Sequence, residues 1–307
     1  MRCPWPIEIV LRGGVNKGHK QIVPCGKCGA CLQARRNDWA IRLKEEQRVS
    51  LNSFFLTLTY QDSTLKVSDT GFPTLCKEDL QLYFKRLRKR IDSMSIEDFN
   101  LDMGTTYEDH EQVKKRFHNV RYYAVGEYGT KFQRPHYHVI LFNVPQTVLV
   151  QMHDIWAQGS VHCGVVNMKS IMYCLSYHIT RNPQASLVFD REPEKVYMSR
   201  RPGIGHTYVK DRSKWNKDNG FLYTMNDGFR MRLPRYWKEK IFNEEQRAEL
   251  TEKLLEKIQI EQEKVYSELE RKGYPQCDIN SPATYLHSLS VREANRQYAK
   301  VVKGQIF

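Results

Sequence analysis

Residues 120–142 read VRYYAVGEYGTKFQRPHYHVILF and contain two runs of strand-forming residues. The runs at 120–127 and 136–142 are rich in β-branched and aromatic side chains, which favour strands. Gly129 and Pro135 lie between them and are typical turn residues. This stretch therefore predicts two antiparallel strands joined by a turn.

Two histidines, His136 and His138, flank Tyr137 on the second of these strands. Side chains two positions apart on a strand point to the same face, so both imidazoles would face one side of the sheet. Glu127 ends the first strand, and pairing across the turn would bring its carboxylate beside the histidines. Two imidazoles and one carboxylate leave coordination positions open on Mg²⁺ or Mn²⁺, which can then polarise a phosphoryl oxygen.

The His-x-His motif is weak by itself, because ten histidines in 307 residues produce this spacing by chance. The alternative interpretation is that His136 and His138 pack on a half-buried strand and that Glu127 is a solvated turn carboxylate.

Tyr173 and Tyr177 form a second candidate group of functional residues. Residues 168–180 have a helical pattern, and side chains four positions apart on a helix are neighbours, about 5–6 Å apart at Cβ. Tyrosine can act as a covalent nucleophile when a base, a cation or a polarised electrophile assists it. The alternative is that both are core or interface tyrosines, since a chain with 17 tyrosines contains this spacing by chance.

Closely spaced cysteines near the start of the chain predict a structural metal site. The CxxCxxC pattern suits tetrahedral zinc, because closely spaced thiolates converge from a tight turn. An iron–sulfur cluster also uses this spacing, but Arg35 stands where its fourth cysteine is expected. Structural thiols without metal are a further alternative, and His19 is a substitute ligand. The candidate zinc ligands are Cys3, Cys25, Cys28 and Cys31.

Composition places the chain among basic proteins that bind polyanions. It has 48 Lys+Arg against 35 Asp+Glu, a formal net charge of +13. An aromatic content of 11% is too high for a disordered polyelectrolyte. No apolar run approaches the roughly 18 residues of a membrane span, and Glu8 interrupts a secretory core. We therefore expect a soluble cytoplasmic protein without a membrane partner, and nucleic acid as its ligand.

Basic segments with tyrosine and tryptophan nearby are typical of single-strand binding by phosphate contact and base stacking. Each segment taken alone is better explained as a solvated helix face. The segments that we expect to line a DNA path are residues 35–44, 85–90, 181–201 and 230–240.

The remaining patterns predict an α+β fold with an antiparallel-rich central sheet and flanking helices. Residues 54–60 alternate in the manner of a strand, and residues 221–233 alternate around an Asn-Asp-Gly turn, which favours a hairpin. Residues 1–30 are expected to be irregular, because prolines and glycines interrupt them. Helices are expected at residues 31–49, 77–91, 150–156, 168–180 and 243–272.

Taken together, the strand ending in TLTY, the His-x-His strand and the helix with paired tyrosines resemble the HUH superfamily of single-strand DNA endonucleases. Within it, the chain resembles the rolling-circle replication-initiation proteins of small single-stranded DNA phages, the gokushovirus-like branch of the Microviridae. The resemblance spans most of residues 20–240. The segments that carry it are VPCGKC (23–28), DWAIRL (38–43), FLTLTY (55–60), GEYG (126–129), RPHYH (134–138), MSRRPGIG (198–205) and LPRYW (233–237).

This resemblance implies a metal-dependent DNA nickase and strand transferase. A divalent ion, Mg²⁺ or Mn²⁺, on Glu127, His136 and His138 would polarise the scissile phosphate, and Tyr173 or Tyr177 would attack it. The products would be a 5′-phosphotyrosine and a free 3′-hydroxyl that starts rolling-circle replication, and the reverse step would rejoin strands. The implied partners are the single-stranded DNA origin and the host helicase and polymerase, in the host cytoplasm.

The sequence departs from the family pattern beside the tyrosines. Related initiators carry a lysine three residues after each catalytic tyrosine, whereas this chain has Ser176 and Thr180 there, with Lys169 and Arg181 flanking the helix. Two other functions stay open at this point: a single-tyrosine transposase of the same superfamily, and a non-catalytic zinc-containing nucleic-acid-binding protein.

The expected domain organisation has three parts. Residues 1–50 form a cysteine-rich segment and a basic helix, and residues 51–215 form the HUH endonuclease core. Residues 216–307 form a C-terminal hairpin and helical region.

Overall fold

The computed structural model describes a defined part of the chain, in which two compact units are separated. One unit comprises residues 42–207, called here the sheet unit, and the other comprises residues 1–41 and 208–306. The three-part division expected from the sequence stays a prediction. The described residues are 3–10, 12–13, 18–117, 120–129, 131–176, 190–273, 288–289, 291–293, 295–296 and 299.

Strands and helices alternate along the described residues. The strands are β1 (Ile7–Val10), β2 (Lys20–Val23), β3 (Ser53–Thr59), β4 (Arg121–Tyr128), β5 (Pro135–Phe142), β6 (Val161–Val165), β7 (Val196–Met198), β8 (Tyr223–Asn226) and β9 (Phe229–Arg232). The helices are α1 (Gly29–Val49), α2 (Lys77–Asp92), α3 (Ile96–Met103), α4 (His110–Phe117), α5 (Gln146–Leu149), α6 (Met152–Trp156), α7 (Met168–Ser176), α8 (Thr207–Asn219), α9 (Arg235–Ile241) and α10 (Glu244–Arg271).

A five-stranded antiparallel sheet forms the centre of the sheet unit, with strand order β6-β3-β5-β4-β7. The predicted α+β class and antiparallel sheet are therefore confirmed. The two strands expected on either side of the turn pair as β4 and β5, and Glu127 is the register partner of His136.

One face of this sheet is buried under helices. Leu56 and Leu58 of β3 and Tyr137 and Val139 of β5 share a hydrophobic core with α2 and α6. Because side chains alternate along a strand, the intervening residues point to the opposite face. That opposite face therefore carries the polar residues of interest: Thr57, Glu127, His136 and His138.

Helix α2 is the amphipathic helix that the sequence predicts. Its buried stripe closes the core. Glu78 and Asp79 lie in its first turn and Lys89 and Arg90 in its last, so the charges at both ends oppose the helix dipole favourably. The stripe consists of Leu80, Tyr83, Phe84, Leu87 and Ile91.

The other unit has its own small core. Tyr208 stacks on Trp237 with ring centroids 3.9 Å apart, and Ile41, Leu233, Ile241 and Phe242 complete the cluster. The predicted hairpin forms as β8 and β9.

The long C-terminal helix is confirmed, and its start shows the reciprocal hydrogen bonds of a capping box. The Gln246 amide donates to Oδ1 of Asn243 (2.8 Å), and the Asn243 amide donates to Oε1 of Gln246 (3.1 Å).

The sequence-based expectation of an irregular stretch over residues 1–30 is wrong in part. Strands β1 and β2 pair there as an antiparallel hairpin, with Ile7 opposite Val23. Strands β6 and β7 and helix α8 were not predicted either, because β6 and β7 are short and α8 has no clear apolar stripe. In the described part of the chain, no helix combines the length and apolar character needed to cross a bilayer.

Candidate active site

The pairing of β4 with β5 brings three potential metal ligands together on the open face of the sheet. Nε2 of His138 lies 2.8 Å from Oε1 of Glu127, and Nε2 of His136 contacts the same oxygen. The ligand atoms of the three side chains all lie within 4.8 Å of one another. The grouping expected from the hairpin is therefore observed, and a single ion can be shared by the three residues.

The outer nitrogens of both histidines are held by hydrogen-bonding partners. Nδ1 of His136 lies 3.0 Å from the carbonyl oxygen of Arg134, and Nδ1 of His138 lies 3.1 Å from Oγ1 of Thr57. A carbonyl oxygen only accepts, so the proton of neutral His136 sits on Nδ1 and the lone pair on Nε2. Such contacts orient an imidazole and select the nitrogen that is available to a metal.

Stacking restrains the second imidazole further. The ring of Phe55 lies parallel to that of His138, with centroids 5.5 Å apart and planes 7° apart. Phe55 and Thr57 are alternate residues of β3, so a single neighbouring strand supports His138 through both its ring and its outer nitrogen.

The charges of the three groups depend on one another. Burial opposes ionisation of Glu127, but its hydrogen bonds with His136 and His138 outweigh burial and lower the pKa of the carboxyl to about 2. Burial also opposes protonation of His136, yet the hydrogen bond to Glu127 and its negative charge prevail and raise the pKa of the ring. The site therefore holds a carboxylate near neutral pH, and protons compete with a metal ion for His136.

The site fits a hard divalent ion on a further observation. Glu127 is only 2% exposed, and its Oε2 is buried without a hydrogen-bond partner among the described residues. A buried carboxylate oxygen that lacks a partner is costly and calls for an explanation. An ion bound by Glu127, His136 and His138 would satisfy it, since Mg²⁺ and Mn²⁺ favour carboxylate oxygens.

Helix α7 directs a phenol toward this group. The hydroxyl of Tyr173 lies 3.4 Å from Oε1 of Glu127 and 3.4 Å from Nε2 of His138. The rings of Tyr173 and His138 meet edge to face, with centroids 4.9 Å apart. Tyr177, the other candidate nucleophile, lies outside the described residues.

Packing explains why α7 presents Tyr173 in this way. Ile171, Cys174 and Leu175 are buried, whereas Tyr173 is only half-buried and points to the open face. Near the start of the helix, the Ser170 amide donates to Oδ1 of Asn167 (3.0 Å), and the Asn167 amide donates to Oγ of Ser170 (2.8 Å). These bonds satisfy amides that the first turn leaves free.

Known proteins match the region that contains this site. Residues 53–182 match the family described as Replication-associated protein ORF2. The chain is similar to phage replication-associated proteins. No solved structure matches it significantly.

Two of these relatives cover most of the chain. Replication-associated protein ORF2 of Spiroplasma virus 4 is 27% identical over 257 residues, 76% of this chain and 73% of that protein. Replication-associated protein VP4 of Bdellovibrio phage phiMH2K is 26% identical over 269 residues, 78% and 76% of the two chains. Replication-associated protein ORF4 of Chlamydia phage 1 is 32% identical over 120 residues, 39% of this chain and 24% of that protein. The resemblance to replication proteins of small phages is confirmed.

Sequence reasoning did not identify the residues that support the replication-protein site. Thr57 was noted only as part of a strand motif, and the contribution of Arg134 is a backbone carbonyl that no side-chain pattern reveals. The one available signal for Thr57 was its position on the strand next to His138.

The position where related initiators carry a lysine is engaged in the helix. Oγ of Ser176 donates to the carbonyl oxygen of Tyr173, so it does not extend toward the metal-binding group. Lys169 is exposed one helical turn before Tyr173, and Thr180 and Arg181 lie outside the described residues.

The candidate cysteine ligands also converge, in the other unit. The sulfurs of Cys3, Cys25, Cys28 and Cys31 all lie within 4.8 Å of one another. The expected fallback ligand His19 is not in this group.

Proposed function

We propose that this protein initiates rolling-circle replication by nicking single-stranded DNA at an origin, with Tyr173 as the nucleophile. The observation that carries the proposal is the approach of the Tyr173 hydroxyl to within 3.4 Å of both Glu127 Oε1 and His138 Nε2. A role in replication is supported by the replication-associated proteins to which the chain is similar. The sequence resemblance supports the same chemistry.

Glu127, His136 and His138 are the residues that would hold the metal. A divalent ion bound there supplies a Lewis acid for a phosphoryl oxygen of the DNA. The fixed outer contacts of both imidazoles keep their Nε2 atoms turned toward the position of the phosphate. The protein thus orients the phosphate and the phenol on the same side of the sheet, which is the positional requirement for attack.

Tyr173 forms the new bond in this proposal. Its phenolic oxygen bonds to phosphorus and loses its proton, while the bond from phosphorus to the 3′ oxygen breaks and that oxygen takes a proton. The products are a 5′-phosphotyrosine and a free 3′-hydroxyl. Attack of a 3′-hydroxyl on the phosphotyrosine reverses the step and rejoins DNA, because one phosphodiester replaces another.

The long hydrogen bond from Tyr173 to Glu127 bears on the first proton transfer. A phenol has a pKa near 10 in water and is a weak nucleophile at neutral pH. The carboxylate accepts from the hydroxyl, so it aims a lone pair of the phenol away from itself and toward the open side of the site. Glu127 is therefore a positioning residue for Tyr173 as well as a metal ligand.

A covalent-adduct assay tests the proposal. Fluorescent single-stranded oligonucleotides that tile the replicon encoding the chain are incubated with the protein and Mn²⁺, and the products are separated under denaturing conditions. We expect one oligonucleotide to form a protein–DNA adduct that EDTA prevents. We expect Tyr173→Phe to reduce the adduct at least 1000-fold and His136→Ala/His138→Ala to abolish it, on the order of losses at catalytic groups.

Matched variants separate chemistry from folding. Tyr266→Phe on α10 and His153→Ala, an exposed histidine, leave the adduct unchanged. An adduct formed by Tyr173→Phe but not by Tyr177→Phe would assign the nucleophile to Tyr177. Full DNA binding without any adduct for the wild type would identify a non-catalytic binding protein instead.

A further inference from the structure

The second group of metal-type ligands lies where three chain segments meet at the start of the chain. Cys3 precedes β1, Cys25 follows β2, and Cys28 and Cys31 lie at the start of α1. Since β1 and β2 form a hairpin, Cys3 and Cys25 mark its open end. The cysteines therefore join the base of a hairpin to the first turn of a helix.

The spacing of the sulfurs matches tetrahedral coordination. Sγ of Cys28 lies 3.8 Å from Sγ of Cys3, and Sγ of Cys25 lies 4.0 Å from Sγ of Cys31. A zinc ion with four bonds of about 2.3 Å places its sulfurs about 3.8 Å apart. Disulfide sulfurs are about 2.05 Å apart, so these four cysteines are not paired with each other.

Backbone amides converge on the same sulfurs. The amide of Cys25 donates to Sγ of Cys3 (3.3 Å), and the amides of Lys27 (3.5 Å) and Cys28 (3.3 Å) donate to Sγ of Cys25. Gly26 has φ +74°, a backbone conformation that glycine adopts without strain. Such amides stabilise negative charge on sulfur, which suits thiolate ligands better than neutral thiols.

The hairpin has little else among the described residues to hold it. Each strand is four residues long, all of β1 is exposed, and only Val23 of β2 is partly buried. Ile22 is 72% exposed. An isolated two-stranded hairpin is marginally stable in water, whereas a bound structural ion supplies folding free energy directly.

We infer that Cys3, Cys25, Cys28 and Cys31 bind one zinc ion, and that this ion holds the β1–β2 hairpin to the first turn of α1. The thiols lose their protons to solvent when the ion binds. Cys3 is the fourth ligand, because its sulfur lies in the group whereas His19 does not. Zinc is the tetrahedral ion that needs no redox partner.

Elemental analysis of the full-length protein tests this inference. To remove the other candidate metal group from the measurement, zinc is counted in the His136→Ala/His138→Ala variant, purified under reducing conditions. We expect about one zinc per chain, and a loss of at least tenfold in zinc content when Cys3→Ser or Cys25→Ser is added. Cys163→Ser, which changes an exposed cysteine outside the group, is the matched control and retains the zinc.

Spectra and proteolysis give independent readouts. Replacement of zinc by Co²⁺ is expected to produce the intense visible and thiolate charge-transfer bands of tetrahedral sulfur coordination. Removal of zinc with a mercurial reagent is expected to expose residues 3–23 to limited proteolysis.

Three results would overturn the inference. They are a protein without zinc, a protein that contains iron and acid-labile sulfide instead, and zinc content that is unchanged in Cys3→Ser. The nickase proposal is tested by adduct formation through Tyr173, so the two proposals fail in distinguishable ways.

Discussion

The hydroxyl of Tyr173 lies 3.4 Å from Oε1 of Glu127, although the two residues are 46 positions apart in the chain. Glu127 lies on β4, in the middle of the antiparallel sheet, and Tyr173 lies on a helix that packs on its open face. This relationship places a nucleophile-type side chain against a carboxylate that also contacts two imidazoles. The predictions below concern the parts of the structure that maintain this arrangement.

Replacement of Thr57 should weaken metal binding without touching a ligand. Oγ1 of Thr57 lies 3.1 Å from Nδ1 of His138, so Thr57→Val keeps the shape and removes the hydrogen bond. Loss of such a partner typically lowers metal affinity about 10- to 100-fold. Calorimetric titration with Mn²⁺ measures the effect, and Thr57→Ser, which retains the hydroxyl, should restore most of the affinity. Equal affinity in wild type and Thr57→Val would exclude a role for this bond.

Metal affinity should fall as the solution becomes more acidic. Glu127 has a pKa of about 2 and stays ionised between pH 5 and 8 on that basis. The pKa of His136 is raised by its contact with Glu127, so below that raised value each bound ion must displace a proton from Nε2. Titrations at several pH values should show affinity decreasing up to about tenfold per pH unit in this range. A flat profile, or no proton release in buffers of different ionisation enthalpy, would contradict the assignment.

Lys169 should contribute to cleavage through its position one turn before Tyr173. Residues four apart on a helix share a face, and Lys169 is exposed, so its ammonium can reach a phosphate that approaches Tyr173. We expect Lys169→Met to reduce adduct formation about 10- to 100-fold, the range of a single electrostatic contact, and Lys169→Arg to retain most of it. Adduct formation at the wild-type rate in Lys169→Met would show that the cation is supplied elsewhere.

The buried ion pair between Glu46 and Arg121 should be a major source of stability in the sheet unit. The carboxylate and guanidinium are joined by two hydrogen bonds of 2.7 and 3.1 Å, and both side chains are almost fully buried. Removal of one partner leaves a buried charge uncompensated, at a cost of about 3–5 kcal/mol. Urea unfolding of Glu46→Gln measures this loss.

The neighbouring residue provides the control for the ion pair. Glu45 pairs with Arg48, whose side chain is 58% exposed, so Glu45→Gln should change the free energy of unfolding by less than about 1 kcal/mol. Similar losses in Glu45→Gln and Glu46→Gln would contradict a special role for the buried pair.

Gly126 should resist any side chain. A Cβ atom at this position would lie 2.9 Å from Cε1 of Tyr137 and 3.1 Å from the methyl groups of Leu75, all in the core. We expect Gly126→Ala to lower the free energy of unfolding by about 1–3 kcal/mol, as overpacking does. Gly164→Ala on β6 is the matched control, since its nearest contact would be 3.8 Å, and an equal loss in both variants would refute the steric explanation.

Local pattern was sufficient for the elements that have a clear period. Strands β4 and β5, helix α2 and helix α10 were predicted because alternation or helical spacing persists over seven or more residues. The convergence of Glu127 with His136 and His138 followed from the same hairpin, since register across a short turn is determined locally. Strands β6 and β7 escaped prediction because they are short and are stabilised by pairing with β3 and β4 rather than by their own sequence.

The amino-acid sequence alone therefore determined the antiparallel hairpin, its three candidate ligands and the basic character of the chain. Only the tertiary structure decided that Tyr173 faces those ligands, that Thr57 and the Arg134 carbonyl orient the imidazoles, and that Cys3 joins the CxxCxxC group. The physical reason is that periodicity records which face of an element is buried. Contacts between segments distant in the chain depend instead on how several buried faces pack at once, and no local pattern contains that information.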